Sequence, residues 1–349
     1  MNFKNFFHIN YLFIFIIILL TTIGVFALYS AADANFYPWA VRHFIRFGIF
    51  FILMIFIAMI DLKLIYKYAY LIFFITLLLL LSVEIIGTFG KGATRWVRLF
   101  GISIQPSEII KISIILALAR YYHSIKFQYI GTIRYLFFPI LIILVPFLLV
   151  LIQPDLGTSM SIFLMGAIIM FVSGVKIWKF ILGTIMMIAS FPFLWSSIKP
   201  YQQKRVLSFL NPESDPLGQG YQLIQSKIAL GSGGLLGKGF LEGTQSYLEY
   251  LPEKQTDFIF TLIGEEFGFL GTIFILFLYI LLILICFYSS IKSYHIFGRI
   301  ISLGVAANLF LYVLLNMFMV TGLMPVVGIP LPLLSYGGSA MLSIMISFG

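Results

Sequence analysis

Charged side chains are scarce in this sequence. Only 10% of its 349 residues are Asp, Glu, Lys or Arg, against about a quarter in an average soluble domain. Hydrophobic residues make up 61%, and the mean hydropathy is +1.07. These values exclude a soluble globular protein and predict a polytopic membrane protein. Because no linker, charge block or low-complexity tract divides the chain, we predict a single membrane domain over residues 1–349.

Residues for disulfide, metal and triad chemistry are equally few. The single cysteine, Cys286, lies in an apolar run, so an intramolecular disulfide is excluded. The four histidines are far apart in the sequence, which supports neither a histidine metal site nor a Ser/His/Asp triad. The glycine-rich stretch before Lys238 fails the phosphate-loop pattern, because Ser232 replaces its first glycine and Gly239 its Ser or Thr. We therefore expect no bound nucleotide.

Long apolar runs, in contrast, are frequent. The runs long enough to cross about 30 Å of hydrocarbon lie near 11–28, 44–60, 68–86, 107–121, 135–152, 158–173, 177–198, 267–288 and 300–320. A further run begins near Gly337 and stops at Gly349, so we expect the natural chain to continue beyond this point. The sequence predicts an all-α integral membrane protein of about ten transmembrane helices, the last one truncated.

Basic residues are unevenly divided between the segments that join these runs. If the N-terminus is cytoplasmic, the inner segments hold twice as many basic residues as the short outer ones, which favours this orientation. The inner set is Lys4, Lys63, Lys67, Arg120, Lys126, Arg134, Lys176, Lys179, Lys292 and Arg299. Of the acidic residues only Asp61 falls on the inner side. We therefore expect any chemistry at the outer face, although the position of the hydrophilic segments accounts for part of this bias.

The long hydrophilic segment 199–257 is expected to be a large outer loop between the seventh and eighth spans. Loops of this length in compact proteins are usually functional or disordered. Aromatic and aliphatic residues occur throughout it, which indicates a folded loop. Residues 221–230 have the pattern of a short amphipathic helix that Gly231 closes. We expect the segment to fold over the helix bundle.

Three groups of polar residues stand out against the apolar background. Glu108 and Lys111 are three residues apart in QPSEIIKI, so on a helix they share a face and neutralise each other, for function or as a structural ion pair. Asp155 in QPDLGTS belongs either to a turn or helix cap or to the site. Asp257 closes the polar run of LPEKQTDFIF. It, or Thr256, caps the following helix, unless its carboxylate serves chemistry at the membrane threshold.

Longer stretches of the sequence resemble the SEDS family of bacterial cell-wall polymerases. They are RWVRLFGISIQPSEIIK, QPDLGT, KPYQQKRVLSFLNPESDPLGQGYQLIQSKIALGSGG, GTQS at 243–246, LPEKQTDFIFTLIGEEFG and PVVGIPLPLLSYGGSA at 325–340. The resemblance covers nearly the whole chain, and GTQS with VVGIPLPLLSYGGSA is similar to the elongation branch of the family. It implies a ten-helix peptidoglycan glycosyltransferase that polymerises lipid II on the outer face of the cytoplasmic membrane.

The resemblance also implies residue roles. The family's essential acidic residue in the TDFIF motif corresponds to Asp257, as general base or as ligand of a divalent cation, Mg or Mn. Supporting residues correspond to Glu108, Lys111, Asp155 and Arg205. The leaving pyrophosphate needs positive charge, which Arg205, Lys204, Lys111 or the cation would supply. This assignment makes Asp257 the central catalytic candidate.

The implied partner is a class B penicillin-binding protein, a transpeptidase that crosslinks the new strand, with other membrane proteins of the elongation complex and without nucleic acid. Two alternatives belong to other classes of function. One is a lipid II flippase, which intramembrane polar residues would suit, and the other is a non-catalytic scaffold for the transpeptidase. The flippase is disfavoured because the carboxylates gather at one face and no internal repeat is found.

Overall fold

Helices dominate the computed structural model, which describes residues 10–349 except 91–92, 100–101, 198–199, 215–217, 249 and 252. The α-helices in the described residues are α1 (Tyr11–Ala31), α2 (Ala40–Ala58), α3 (Leu62–Ile86), α4 (Pro106–Ser124), α5 (Ile133–Ile152), α6 (Leu156–Val172), α7 (Ile177–Ser197), α8 (Pro200–Leu210), α9 (Gln219–Ser232), α10 (Thr244–Tyr247), α11 (Ile259–Lys292), α12 (Ile296–Thr321) and α13 (Gly338–Phe348). Each predicted span falls on one of these helices, which confirms the all-α membrane fold.

Six helices in the described part of the chain are both long and apolar enough to cross a membrane: α1, α2, α3, α5, α11 and α12. Shorter apolar helices are α6, α13 and the part of α7 over Ile177–Ser190. Helix α4 differs from these because it carries Glu108 in its first turn. The number of ten spans therefore stays a prediction.

The chain folds into two compact units. Unit 1 comprises Met1–Ile60, Arg205–Ile285 and Tyr312–Gly349. Unit 2 comprises Asp61–Lys204 and Cys286–Leu311. Helices α11 and α12 each contribute one part to unit 1 and the other part to unit 2. The single domain expected from composition stays a prediction.

Unit 2 is built around α4, which packs against α3, α5 and α6. Ile110, Ile114 and Leu118 recur every four residues on its buried face, the spacing expected of a helix packed in a core. A small antiparallel sheet joins α3 to α4, with strands β1 (Thr88–Gly90), β2 (Ala93–Leu99) and β3 (Ile102–Ile104). The sequence did not predict this sheet.

Unit 1 contains α1, α2 and α13, which pack on one another, and α9. The predicted amphipathic helix is confirmed as α9, which extends two residues further at each end. Ser226 on α9 is buried and lies 2.9 Å from the Thr261 hydroxyl, while it donates to the Val320 carbonyl at 2.8 Å. These bonds attach part of the predicted loop to α11 and α12 inside unit 1.

Helix α11 is interrupted at Gly268, where φ is +64°. The glycine-rich loop after α9 fills the interruption, and four backbone hydrogen bonds of 2.9–3.2 Å join residues 234–239 to residues 265–270. The backbone of this loop and the backbone of α11 lie so close together that glycine is required on both of them. A Cβ on Gly268 would lie 2.3 Å from the Gly237 nitrogen, and one on Gly233 would lie 2.0 Å from the Gly264 carbonyl oxygen.

Candidate functional site

The start of α4 holds a buried ion pair. The Lys111 ammonium donates to Glu108 Oε1 at 3.0 Å, and the two residues are only 1% and 4% exposed. Their separation of three residues places both side chains on one helix face. The position of Glu108 in the first turn also lets its negative charge interact favourably with the helix dipole. The predicted pairing is confirmed, whereas its role in function stays a prediction.

Asp155 lies next to this pair in unit 2 and is buried. It is the N-cap of α6, and its carboxylate accepts from the Thr158 backbone at 3.3 Å and from the Thr158 hydroxyl at 3.0 Å. The Gln105 amide donates to the same carboxylate at 3.0 Å, and Asp155 also interacts electrostatically with Lys111. The capping interpretation is thus confirmed. We call Gln105, Glu108, Lys111 and Asp155 the α4–α6 cluster.

Asp257 lies in unit 1, in the turn just before α11, and is half-buried. Its backbone carbonyl accepts from the Asn316 amide at 2.9 Å, and the same amide donates to the Ile329 carbonyl at 2.7 Å. Gly328 has φ of +73°, and a Cβ on it would lie 3.4 Å from Asp257 Oδ2. The carboxylate therefore faces the segment 322–337 between α12 and α13.

That segment is firmly anchored within unit 1. His43 Nε2 lies 3.0 Å from the Leu333 carbonyl oxygen, and the Tyr279 hydroxyl donates to the Pro332 carbonyl. The Tyr336 backbone donates to the Gln255 carbonyl at 2.8 Å. Because Gln255 is two residues from Asp257, the motif PVVGIPLPLLSYGGSA positions the TDFIF motif directly.

The position at which α11 begins bears on the alternative that Asp257 or Thr256 caps this helix. α11 begins at Ile259, so the N-cap position falls on Phe258 and Asp257 precedes it. Thr256 directs its hydroxyl to Glu253, at 3.2 Å from a carboxylate oxygen. Capping side chains ordinarily act from the N-cap position, and Asp257 lies one residue before it. Its catalytic role stays a prediction.

Glu265 is a buried acidic residue whose partners the sequence did not reveal. It is 0% exposed, and its Oε1 accepts from the Lys238 ammonium at 2.7 Å, the Gln245 backbone at 2.9 Å and the Thr244 hydroxyl at 3.2 Å. The GTQS motif therefore encloses this carboxylate. Neighbouring Glu266 is also buried and accepts from the Ser30 hydroxyl. In the sequence, the sign of this buried site was a pair of adjacent acidic residues inside an apolar run.

Asn316 is the other residue that sequence reasoning missed. It is fully buried within α12 and holds both Asp257 and Ile329. An amide inside an apolar span was the signal, but the sequence does not show which backbone groups it reaches. Asn316 is a positioning residue for Asp257.

The two predicted basic residues of the loop lie on α8. Arg205 is half-buried and belongs to unit 1, as Asp257 does. Lys204 precedes it, and its side chain lies outside what the structure describes. Within the described residues no group of three or more His, Cys, Asp or Glu could hold a metal ion. The roles of Arg205, Lys204 and a cation stay predictions.

Long apolar helices and an ion pair buried among them define a multi-pass helical membrane protein. Residues 10–349 match the model of the FtsW, RodA and SpoVE family, which is described as a family of cell cycle proteins. The chain belongs to this family, as its SEDS motifs predicted.

Relatives of known name are similar over most of the chain. The peptidoglycan glycosyltransferase MrdB of Escherichia coli K12 is 44% identical over 306 residues, which cover 85% of this chain and 80% of MrdB. Stage V sporulation protein E of Bacillus subtilis is 37% identical over 348 residues, covering 97% and 94% of the two chains.

Solved structures agree with this relationship. A chain from a peptidoglycan synthase complex, in which polymerization and crosslinking are structurally coordinated, is 31% identical with a TM-score of 0.83. The match covers 97% of this chain and 95% of the other. The rod shape determining protein RodA of Thermus thermophilus is 25% identical with a TM-score of 0.73, covering 97% and 93%.

Proposed function

We propose that this chain is a peptidoglycan glycosyltransferase that polymerises lipid II into glycan strands during cell elongation. The observation that carries the proposal is the 44% identity to the glycosyltransferase MrdB over 85% of the chain. The TM-score of 0.83 to a chain of a peptidoglycan synthase complex supports it independently.

Asp257 is proposed as the general base. The sugar 4-hydroxyl of one substrate attacks the anomeric carbon of another, the bond from that carbon to the polyprenyl pyrophosphate breaks, and the hydroxyl proton passes to a carboxylate. Asp257 is suited to this step because it is half-buried and its backbone is held by Asn316. General base catalysis of this kind contributes roughly 100- to 10,000-fold to a rate.

The leaving pyrophosphate requires positive charge, because its negative charge develops as the bond breaks. Arg205 and Lys204 on α8, or Lys111, are proposed for this role. A Mg or Mn ion, if bound, would be held by Asp257 together with the pyrophosphate of the substrate, because Mg²⁺ is usually bound through one or two carboxylates and substrate phosphates. Such an ion would supply positive charge at the same place as the basic side chains.

The proposed location is the bacterial cytoplasmic membrane, with the N-terminus inside and Asp257 at the outer face. The excess of basic residues in the inner segments supports this orientation. The proposed partner is a class B penicillin-binding protein, supported by the similarity to a chain from a complex that coordinates polymerization with crosslinking.

Reconstitution with labelled lipid II tests the function. The purified chain and its transpeptidase partner are placed in vesicles, and glycan chains and leaflet exchange of lipid II are both measured. We expect glycan chains, formed faster with the partner than without it. Leaflet exchange without chains would instead identify a flippase, and neither activity would identify a scaffold.

A further inference from the structure

One end of unit 2 is strongly basic. The starts of α3 and α12 lie close together. A Cβ on Gly298 in α12 would lie 3.5 Å from the Leu62 side chain in α3. The Tyr121 hydroxyl donates to the Tyr135 carbonyl and so joins the end of α4 to the start of α5. Every basic residue of the inner set except Lys4 lies at this end, which we call the basic end. Among the described residues there, Asp61 alone is acidic.

A cavity of about 490 Å³ opens at the basic end. Its walls are formed by the ends of α4, α6 and α11, the start of α12 and the turn after α4. Most lining side chains are apolar, including Ile125, Phe127, Val172, Phe287 and Ile300. A chamber of this size and composition accepts hydrocarbon, as apolar ligand sites in proteins generally do.

The cavity has few polar lining residues, and the one charged residue among those described is basic. Arg299 lines it, together with Ser173 and Ser290, and no described lining residue is acidic. Lys126 and Lys292 are the chain neighbours of lining residues and are exposed. A ligand that enters with hydrocarbon therefore meets positive charge where the cavity opens.

Tyr122 adds a buried polar group beside the apolar walls of the cavity. This lining residue is only 3% exposed, and its hydroxyl has no hydrogen-bond partner in the described structure. A buried hydroxyl without a partner is energetically unfavourable, so this wall of the cavity is not optimised for stability alone.

We propose that this cavity binds one anionic phospholipid, with an acyl chain between the apolar walls and the phosphate against Arg299. Lys126 and Lys292 add to the attraction for a negative headgroup. A zwitterionic lipid offers the same hydrocarbon without the net charge, and free phosphate offers the charge without the hydrocarbon. The site is therefore expected to prefer phosphatidylglycerol to both.

Native mass spectrometry of the delipidated chain in detergent tests the proposal, with phosphatidylglycerol and phosphatidylcholine added in turn. Arg299→Gln is expected to lose about fivefold in affinity for phosphatidylglycerol, since one basic residue near a membrane surface contributes that much. Arg299→Lys, which keeps the charge, should retain most of it. Arg134→Gln is the matched control, because Arg134 is exposed at the basic end but does not line the cavity.

A second pair of variants probes the hydrocarbon part of the site. Ser173→Trp fills the cavity and should weaken both lipids, whereas Ser173→Ala should bind as the parent does. Equal binding of the two lipids by the parent would overturn the proposal, as would equal affinities of Arg299→Gln and Arg134→Gln. Full competition by inorganic phosphate would also overturn it, because the site would then be for an anion and not for a lipid. If Ser173→Trp does not fold, the Arg299 series decides alone.

Discussion

The α4–α6 cluster in unit 2 and the turn before α11 in unit 1 hold their carboxylates differently. In the cluster, Glu108 and Asp155 are each 4% exposed and bound to side-chain partners. In the turn, Asp257 is half-buried, and Asn316 fixes it through the backbone carbonyl. We therefore expect the buried carboxylates of the cluster to contribute mainly to stability and the partly exposed Asp257 carboxylate to contribute mainly to the reaction. Four experiments test this distinction.

The largest effect is expected at Asp257. Asp257→Asn keeps the size of the side chain and removes its charge, so polymerisation of labelled lipid II should fall by roughly 100- to 10,000-fold. The thermal unfolding midpoint in detergent should stay near that of the parent. Asp257→Ala should be equally inactive, and Glu253→Gln serves as the neighbouring charge control with near-parent activity. Asn caps helices about as well as Asp, so an active Asp257→Asn beside an inactive Asp257→Ala would make the residue a cap.

The next largest effect concerns Glu108 and Lys111. Removal of either partner of a buried ion pair takes away the nearest opposite charge of the other, which costs about 3–5 kcal/mol in free energy of unfolding. Glu108→Gln and Lys111→Met should each show this loss, and the double variant should lose less than either. Denaturant titration in detergent measures all three.

Polymerisation by the same variants separates folding from function. Normal protein levels with lost polymerisation would assign the pair to function, and the contrast with Asp257 would weaken. Loss of the protein itself would assign it to folding. Additive losses in the double variant would contradict the ion pair as the source of the stability.

A smaller effect is expected at Asn316. Asn316→Leu removes the donor to two carbonyls, and a buried polar group left unsatisfied costs about 1–3 kcal/mol. Because Asp257 then shifts, kcat should fall more than KM rises. Asn308→Leu in the same helix is the matched control, since the Asn308 amide is buried without a hydrogen-bond partner in the described residues. Equal kinetics of the two variants would refute the positioning role.

The smallest effect is expected at Asp155. Asp155→Asn retains an acceptor for Thr158, so stability should hardly change, whereas Asp155→Ala should lose about 1 kcal/mol as a helix cap. Thermal unfolding of the two variants makes the comparison. An inactive but stable Asp155→Asn would show that its charge serves the reaction, and would place Asp155 with Asp257.

The sequence predicted what depends on local spacing. Apolar length located the helices, a separation of three residues located the Glu108–Lys111 pair, and the QPD motif located the cap of α6. It did not predict contacts between distant residues, such as Lys238 with Glu265 or Asn316 with Asp257, because no periodic pattern records them. The sheet of β1–β3 was missed because β1 and β3 have only three residues each and β2 lacks a clear alternation of polar and apolar residues.

The break in α11 at Gly268 has a consequence for biogenesis. Backbone groups cannot remain unsatisfied in hydrocarbon, and the loop 234–239 supplies partners for those around the break. That loop precedes α11 in the chain, so the ribosome delivers it first. The hydrogen-bonding partner of the interrupted helix is therefore already synthesised when the helix itself emerges, and we expect these bonds to form without waiting for a later segment.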